Sequence, residues 1–131
     1  FTLEALWLSL PIGCTVTAIL IANDLRDMEE DSSVAKITPV TRFGRLFGKW
    51  EWTLVVTLAF LIVMALTLTG GHGSWILLPL LAVFSAVKAA GLVWRARARS
   101  ELALALPATS MLHLQLGLLL SLAVAIGRFV A

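Results

Sequence analysis

The chain has 131 residues, 60% of them hydrophobic and only 14% charged, with a net charge of +2. An ordinary soluble domain carries about 25% charged residues, so this deficit argues against a water-soluble fold and for an all-α integral membrane protein. The slight basic excess gathers near membrane ends, which argues against nucleic-acid binding, and the single cysteine, Cys14, cannot close an internal disulfide.

The chain opens at Phe1 with no initiator Met, no basic leader and no small-residue cleavage site. No signal peptide is expected, and the chain reads as trimmed or incomplete. The first apolar stretch covers about residues 3–22, close to the roughly 20 residues a helix needs to cross hydrocarbon. Pro11 and Gly13 interrupt it and predict a kink or local break, tolerable where neighbouring helices cover it. The densest group of carboxylates follows at once, in Asn23-Asp24-Leu25-Arg26-Asp27-Met28-Glu29-Glu30-Asp31. Charge beside hydrocarbon is costly and usually marks a site. On a continuing helix Asp27 and Asp31 share a face, one turn apart, and would repel unless a cation sat beside them. A hard divalent ion such as Mg²⁺ takes oxygen ligands from one or two carboxylates and completes its shell with water and substrate phosphate. One reading is therefore a metal-diphosphate site at a membrane surface; the other is an acidic, solvated loop.

Residues 34–49 place Val34, Ile37, Val40, Phe43, Leu46 and Phe47 at spacings of three and four among basic residues. That pattern predicts a short amphipathic helix on the membrane surface, with Pro39 confined to a first turn or an end. Further spans are expected at about 53–68, 75–94 and 111–130. Trp7, Trp50, Trp52, Trp75 and Trp94 fall near the span boundaries, as interfacial indoles do. Arg26, Lys36, Arg42, Arg45 and Lys49 follow span one, and Arg95, Arg97 and Arg99 follow span three. The turn from Gly70 to Ser74 has neither Lys nor Arg. The two basic connections are thus expected in the cytoplasm, with the glycine-rich turn and the C-terminus outside. Small residues in span three (Ser85, Ala86, Ala89, Ala90, Gly91) predict close helix packing.

The acidic segment, followed by Lys36, Thr38, Val40, Arg42 and Gly44, resembles the UbiA superfamily of intramembrane prenyltransferases. Within it, the branch acting on 1,4-dihydroxy-2-naphthoate in menaquinone synthesis carries Asn-Asn-x-Arg-Asp-x-x-x-Asp, then Gly-Lys-Arg-Thr-Leu-Ala-Val-Arg-Leu-Gly at the same spacing. The stretch from Pro107 to Gly117 is similar to the entry of that branch's last helix. The resemblance implies helices six to nine of a nine-helix bundle, with residues 1–131 forming its C-terminal half and supplying the second of two Asp-rich motifs. It implies polyprenyl transfer from a polyprenyl diphosphate to an aromatic acceptor, with Mg²⁺, in the bacterial inner membrane. Carried over by position, Asp27 and Asp31 become metal ligands, and Asn23 an orienting group for metal-bound water or phosphate. Lys36, Arg42 and Arg26 become contacts to diphosphate oxygens, Lys36 with a catalytic part. Helix geometry turns Glu29 and Glu30 toward water; Lys88 is expected to snorkel to the interface, with a site-facing ammonium as the alternative, His113 to sit near the inner end of the last span as an interfacial histidine or at the substrate entrance, and His72 to have no role.

The departures are specific. Asp24 stands for the second Asn, Ala35 for Gly, Ile37 for Arg and Pro39 for Leu, and no first Asp-rich motif occurs in the chain. An alternative is a non-catalytic membrane subunit derived from the same scaffold, packed within a larger complex and holding lipid, quinone or pigment. The N-terminal half of the same fold, or a partner membrane subunit, would complete either arrangement.

Overall fold

The computed structural model describes residues 2–68 and 73–130. Its elements are α1 (Leu3–Ser33), α2 (Pro39–Phe43), α3 (Arg45–Leu68), a 3₁₀ helix (Gly73–Ala82), α4 (Val83–Arg95) and α5 (Arg99–Val130). No strand occurs among the described residues. Four segments are long and apolar enough to cross a membrane: Leu3–Ser33, Arg45–Thr67, Ser74–Arg95 and Arg99–Phe129. The expected all-α membrane architecture is what the chain adopts. His72 and most of the glycine-rich turn around it lie outside the described residues.

α1 starts on a cap: the Ala5 N–H donates to Thr2 Oγ1 at 3.2 Å. The break expected at Pro11 is absent, and α1 runs through it. Proline removes only one backbone donor, and Pro11 is buried, so neighbouring helices cover the gap. The Thr15 hydroxyl adds bonds to the carbonyls of Pro11 and Ile12, at 3.2 and 3.0 Å. α1 then passes its apolar stretch and carries the acidic segment as three more helical turns, so an acidic loop is not what forms.

Beyond Ser33 the single amphipathic helix expected over 34–49 is replaced by two pieces. Pro39 takes the first turn of α2, where its missing N–H costs nothing, and a capping box joins Thr38 and Thr41: the Thr41 N–H donates to Thr38 Oγ1 at 3.1 Å and the Thr38 N–H to Thr41 Oγ1 at 2.8 Å. Gly44, at φ 90°, ends α2 after five residues. α3 then begins against α1, and Gly48 makes the approach possible: a Cβ there would lie 2.8 Å from both Leu25 Cδ2 and Val40 Cγ2. Val40 is buried, whereas Ile37, Phe43 and Leu46 are exposed.

The third span opens as a 3₁₀ helix holding Pro79 before settling into α4. α5 begins at Arg99, twelve residues before the expected start of the fourth span, and passes through Pro107. Glu101 makes the early start possible: its Oε2 accepts from the backbone N–H groups of Arg97 and Ala98 at 2.6 and 3.3 Å.

α1 packs on α3 and α5, and α4 on α5. Ala18, Ala22 and Leu25 of α1 meet Trp52, Val56 and Ala59 of α3, with Ala86, Ala89 and Val93 of α4 and Leu112 and Leu116 of α5 closing the core. The small residues Ala86 and Ala89 do pack closely, as expected. Trp52, expected at an interface, is instead 1% exposed and central to this core. Lys49, expected in a basic cytoplasmic connection, is buried and tethers α3 to the end of α4. Its Nζ donates to the carbonyls of Trp94 and Ala96 at 3.0 and 2.7 Å, and Trp94 Nε1 donates back to Thr53 Oγ1 at 3.0 Å.

Candidate functional site

The final three turns of α1 set one face of carboxylates. Asp24, Asp27 and Asp31 follow at steps of three and four, the spacing that keeps side chains on one side of a helix. Neither expected metal ligand is splayed into solvent, since the Asp27 and Asp31 side chains are 16% and 11% exposed. Each holds a cation. Arg26 clamps Asp27 with Nε and Nη2 at 2.8 and 2.5 Å, and the same Nη2 donates to Asn23 Oδ1 at 2.7 Å. Lys36 Nζ donates to Asp31 Oδ2 at 2.8 Å across the turn that ends α1. The Arg26 hydrogen bond holds the Asp27 carboxyl below its ordinary range, with Arg99 adding to the effect. The bond to Asp31 pushes the Lys36 ammonium up. Burial pushes the Asp24 carboxyl up; Lys36 opposes this, and the neighbouring Asp31 and Asp27 add to it.

The cations expected to meet a diphosphate divide into two sets. Arg26 faces Asn23 and Asp27 on α1. Lys36 and Arg42 line one open groove with Ser32 and Thr41, with a volume near 480 Å³. The Arg42 guanidinium lies over the Phe43 ring, 5.5 Å from its centroid. Glu29 and Glu30 point outward, as expected, although each is paired: Glu29 with Arg45 at 3.2 Å and Glu30 with Arg99 at 2.6 Å.

Two residues of this face were not singled out from sequence as part of the site. Arg99, at the start of α5, also reaches Asp27 Oδ1 at 3.2 Å. No local spacing links residues 72 apart, and only the basic composition of the connection hinted at it. Glu51, at the head of α3, lies near Asp24. A lone acid between Trp50 and Trp52 was the available signal. Two other polar residues lie elsewhere. His113 Nδ1 pairs with Thr15 Oγ1 at 2.8 Å inside the bundle, and Lys88 lines a groove between α4 and α5.

The donor chemistry suits a hard cation, because the acidic face offers carboxylate oxygens and no thiolate or imidazole. Among the described residues no group of three or more His, Cys, Asp or Glu side chains converges as a metal cage. The fit is therefore to an ion held by one or two carboxylates and otherwise by water and phosphate.

Residues 1–115 match the UbiA prenyltransferase family. Over 127 residues the chain is 25% identical to the 1,4-dihydroxy-2-naphthoate octaprenyltransferase of Bacillus subtilis (strain 168), covering 97% of this chain and 41% of that protein. No solved structure matches the chain. The acidic helix, the apolar spans and a family match over most of the sequence agree: this chain is an integral membrane protein and belongs to the UbiA prenyltransferase family.

Proposed function

We propose that the chain takes part in transfer of a polyprenyl group from its diphosphate to an aromatic acceptor in menaquinone-type quinone synthesis, and that α1 supplies the second Asp-rich motif. One observation carries this reading: Asp27 and Asp31 stand on one shielded helical face beside a groove lined by Lys36 and Arg42. The naphthoate specificity named for the Bacillus relative supports the acceptor class. In this reading the basic connections after α1 and after α4 are cytoplasmic, in a bacterial inner membrane.

In the reaction the allylic C–O bond to diphosphate breaks, the acceptor's ring carbon bonds to the allylic carbon, and the ring proton leaves. Asp27 and Asp31 would hold Mg²⁺, which when bound supplies neutralisation of the departing diphosphate. Lys36 Nζ and the Arg42 guanidinium contact diphosphate oxygens as point charge and fork. For this, Lys36 exchanges its bond to Asp31 for one to phosphate, a short movement for a long exposed chain. Arg26 fixes Asp27 and Asn23 in register rather than meeting substrate directly. The apolar core behind the face keeps water from a developing allylic cation.

The test is Asp27→Ala in the complete enzyme. Mg²⁺-dependent transfer should disappear while membrane insertion is unchanged; retained turnover would remove Asp27 from the chemistry. A second reading, the non-catalytic subunit, is favoured by the ion pairs themselves, because Arg26, Arg99 and Lys36 already neutralise both carboxylates. Mg²⁺ titration discriminates: in that reading the ion pairs persist and neither Asp27→Asn nor Asp31→Asn changes metal affinity.

A further inference from the structure

We infer that the groove between α4 and α5 at the acidic end of the bundle is a binding site for the phosphodiester headgroup of an anionic membrane phospholipid. The groove has a volume near 490 Å³ and is lined by Val87, Lys88, Gly91, Arg95, Glu101 and Leu104, among others. It lies on α4 and α5, away from the carboxylate face of α1, and does not depend on the catalytic reading.

Three features select the occupant. Lys88 and Arg95 are seven residues apart, two turns on one face and about 10 Å along the axis. Neither side chain has a hydrogen-bond or ion-pair partner among the described residues. An unpaired ammonium this far into an apolar segment is expensive and calls for a counter-charge. Gly91 lies between them, and a Cβ built there would meet nothing within 4 Å, so the backbone forms an open notch flanked by two cations. Both side chains are long enough to meet one phosphate over that notch.

Glu101 does not compete for the cations, because its carboxylate is held by the backbone of Arg97 and Ala98. Deeper along the same two helices the exposed residues turn apolar: Phe84 and Val87 on α4, Leu104 and Met111 on α5. Cations at the interface above an apolar track complement a charged head on acyl chains. A free phosphate ion would use only the upper part. Basic pockets between helices at this depth bind anionic lipid heads on the same physical grounds.

The experiment is native mass spectrometry of the intact protein, delipidated and then exposed to phosphatidylglycerol or phosphatidylcholine. Wild type should retain phosphatidylglycerol about tenfold more than phosphatidylcholine, and Lys88→Gln/Arg95→Gln should abolish the preference. Gly91→Leu keeps both charges and fills the notch, and it too should lose the lipid. Arg97→Gln, outside the groove, should bind as wild type. Equal loss in Arg97→Gln would show only diffuse surface charge and overturn the site. So would a preference that survives the double substitution, or lipid retained by Gly91→Leu. Displacement of the lipid by millimolar inorganic phosphate would assign the cations to soluble phosphate and overturn the lipid.

Discussion

Ala35 occupies the left-handed region, with φ 55°, at the position where the resembling branch has glycine. That conformation costs an L-residue about 1–2 kcal/mol, and it sets the turn from which Lys36 reaches back to Asp31. Ala35→Gly removes the steric cost and adds some unfolded-state entropy, so stability should rise by about 1 kcal/mol. A thermal melt in detergent measures it, and a lowered midpoint would show that the turn carries no strain. At this scale the sequence was informative where chemistry is local. Spacing alone puts Asp27 and Asp31 on one helical face; Asn23 and Lys36 come from the family resemblance, and the helix and the turn that ends it bring them to the same face. Arg99 was not legible, since its partner lies 72 residues back and is reached only through the packing of α5 on α1. Its pairs with Asp27 and Glu30 are solvent-facing, the Arg99 side chain being 56% exposed. Arg99→Gln should therefore cost less than about 1 kcal/mol in the same melt.

Among elements, periodicity found the apolar spans, and the helices run past them: α1 continues for eleven residues beyond its apolar stretch and α5 starts twelve residues before its own. Helices do not stop where hydrocarbon stops; they stop where capping and backbone conformation end them. Of the two positions open to Pro39, a first turn or an end, it takes the first turn, because that position tolerates a missing donor. The division at Gly44 escaped notice, since a positive φ is a tertiary demand that a glycine permits without announcing. Gly48 and Lys49 show how much of the α3 register rests on neighbouring elements. A methyl at Gly48 would meet the stiff Val40 side chain at 2.8 Å, which leaves α2 or α1 to move. Overpacking of this kind costs about 1–3 kcal/mol, against about 1 kcal/mol gained in helix propensity. Gly48→Ala should thus lower stability, and Gly48→Val should lower it further. Lys49→Met keeps the apolar stem but leaves the Trp94 and Ala96 carbonyls without their donor. A loss of about 2–3 kcal/mol is expected from two charge-assisted bonds. Increased quenching of Trp fluorescence near Trp94 would report the loosened end of α4.

For the whole molecule, the decisive fact is proportion: the chain spans 41% of the length of its Bacillus relative. Composition alone made the membrane class legible, and the acidic helix made the family legible, but neither could show a complete centre. α1 offers two shielded carboxylates on one face, and no third acidic or imidazole group joins them as a cage among the described residues. Magnesium keeps an octahedral shell and binds weakly to a pair of carboxylates, unless phosphate oxygens and further ligands complete it. The 131-residue chain by itself should therefore show Mg²⁺ affinity no tighter than millimolar and no prenyl transfer. Co-expression with a polypeptide corresponding to the rest of the relative should restore both, with affinity increasing when a diphosphate is present. Isothermal titration with Mg²⁺, with and without inorganic pyrophosphate, separates the cases. If the pair binds metal tightly alone, the carboxylate face of α1 is a self-sufficient site and the second half is needed only for the acceptor. If pyrophosphate strengthens binding only in the co-expressed form, Asp27 and Asp31 are one wall of a centre whose other wall lies on different helices.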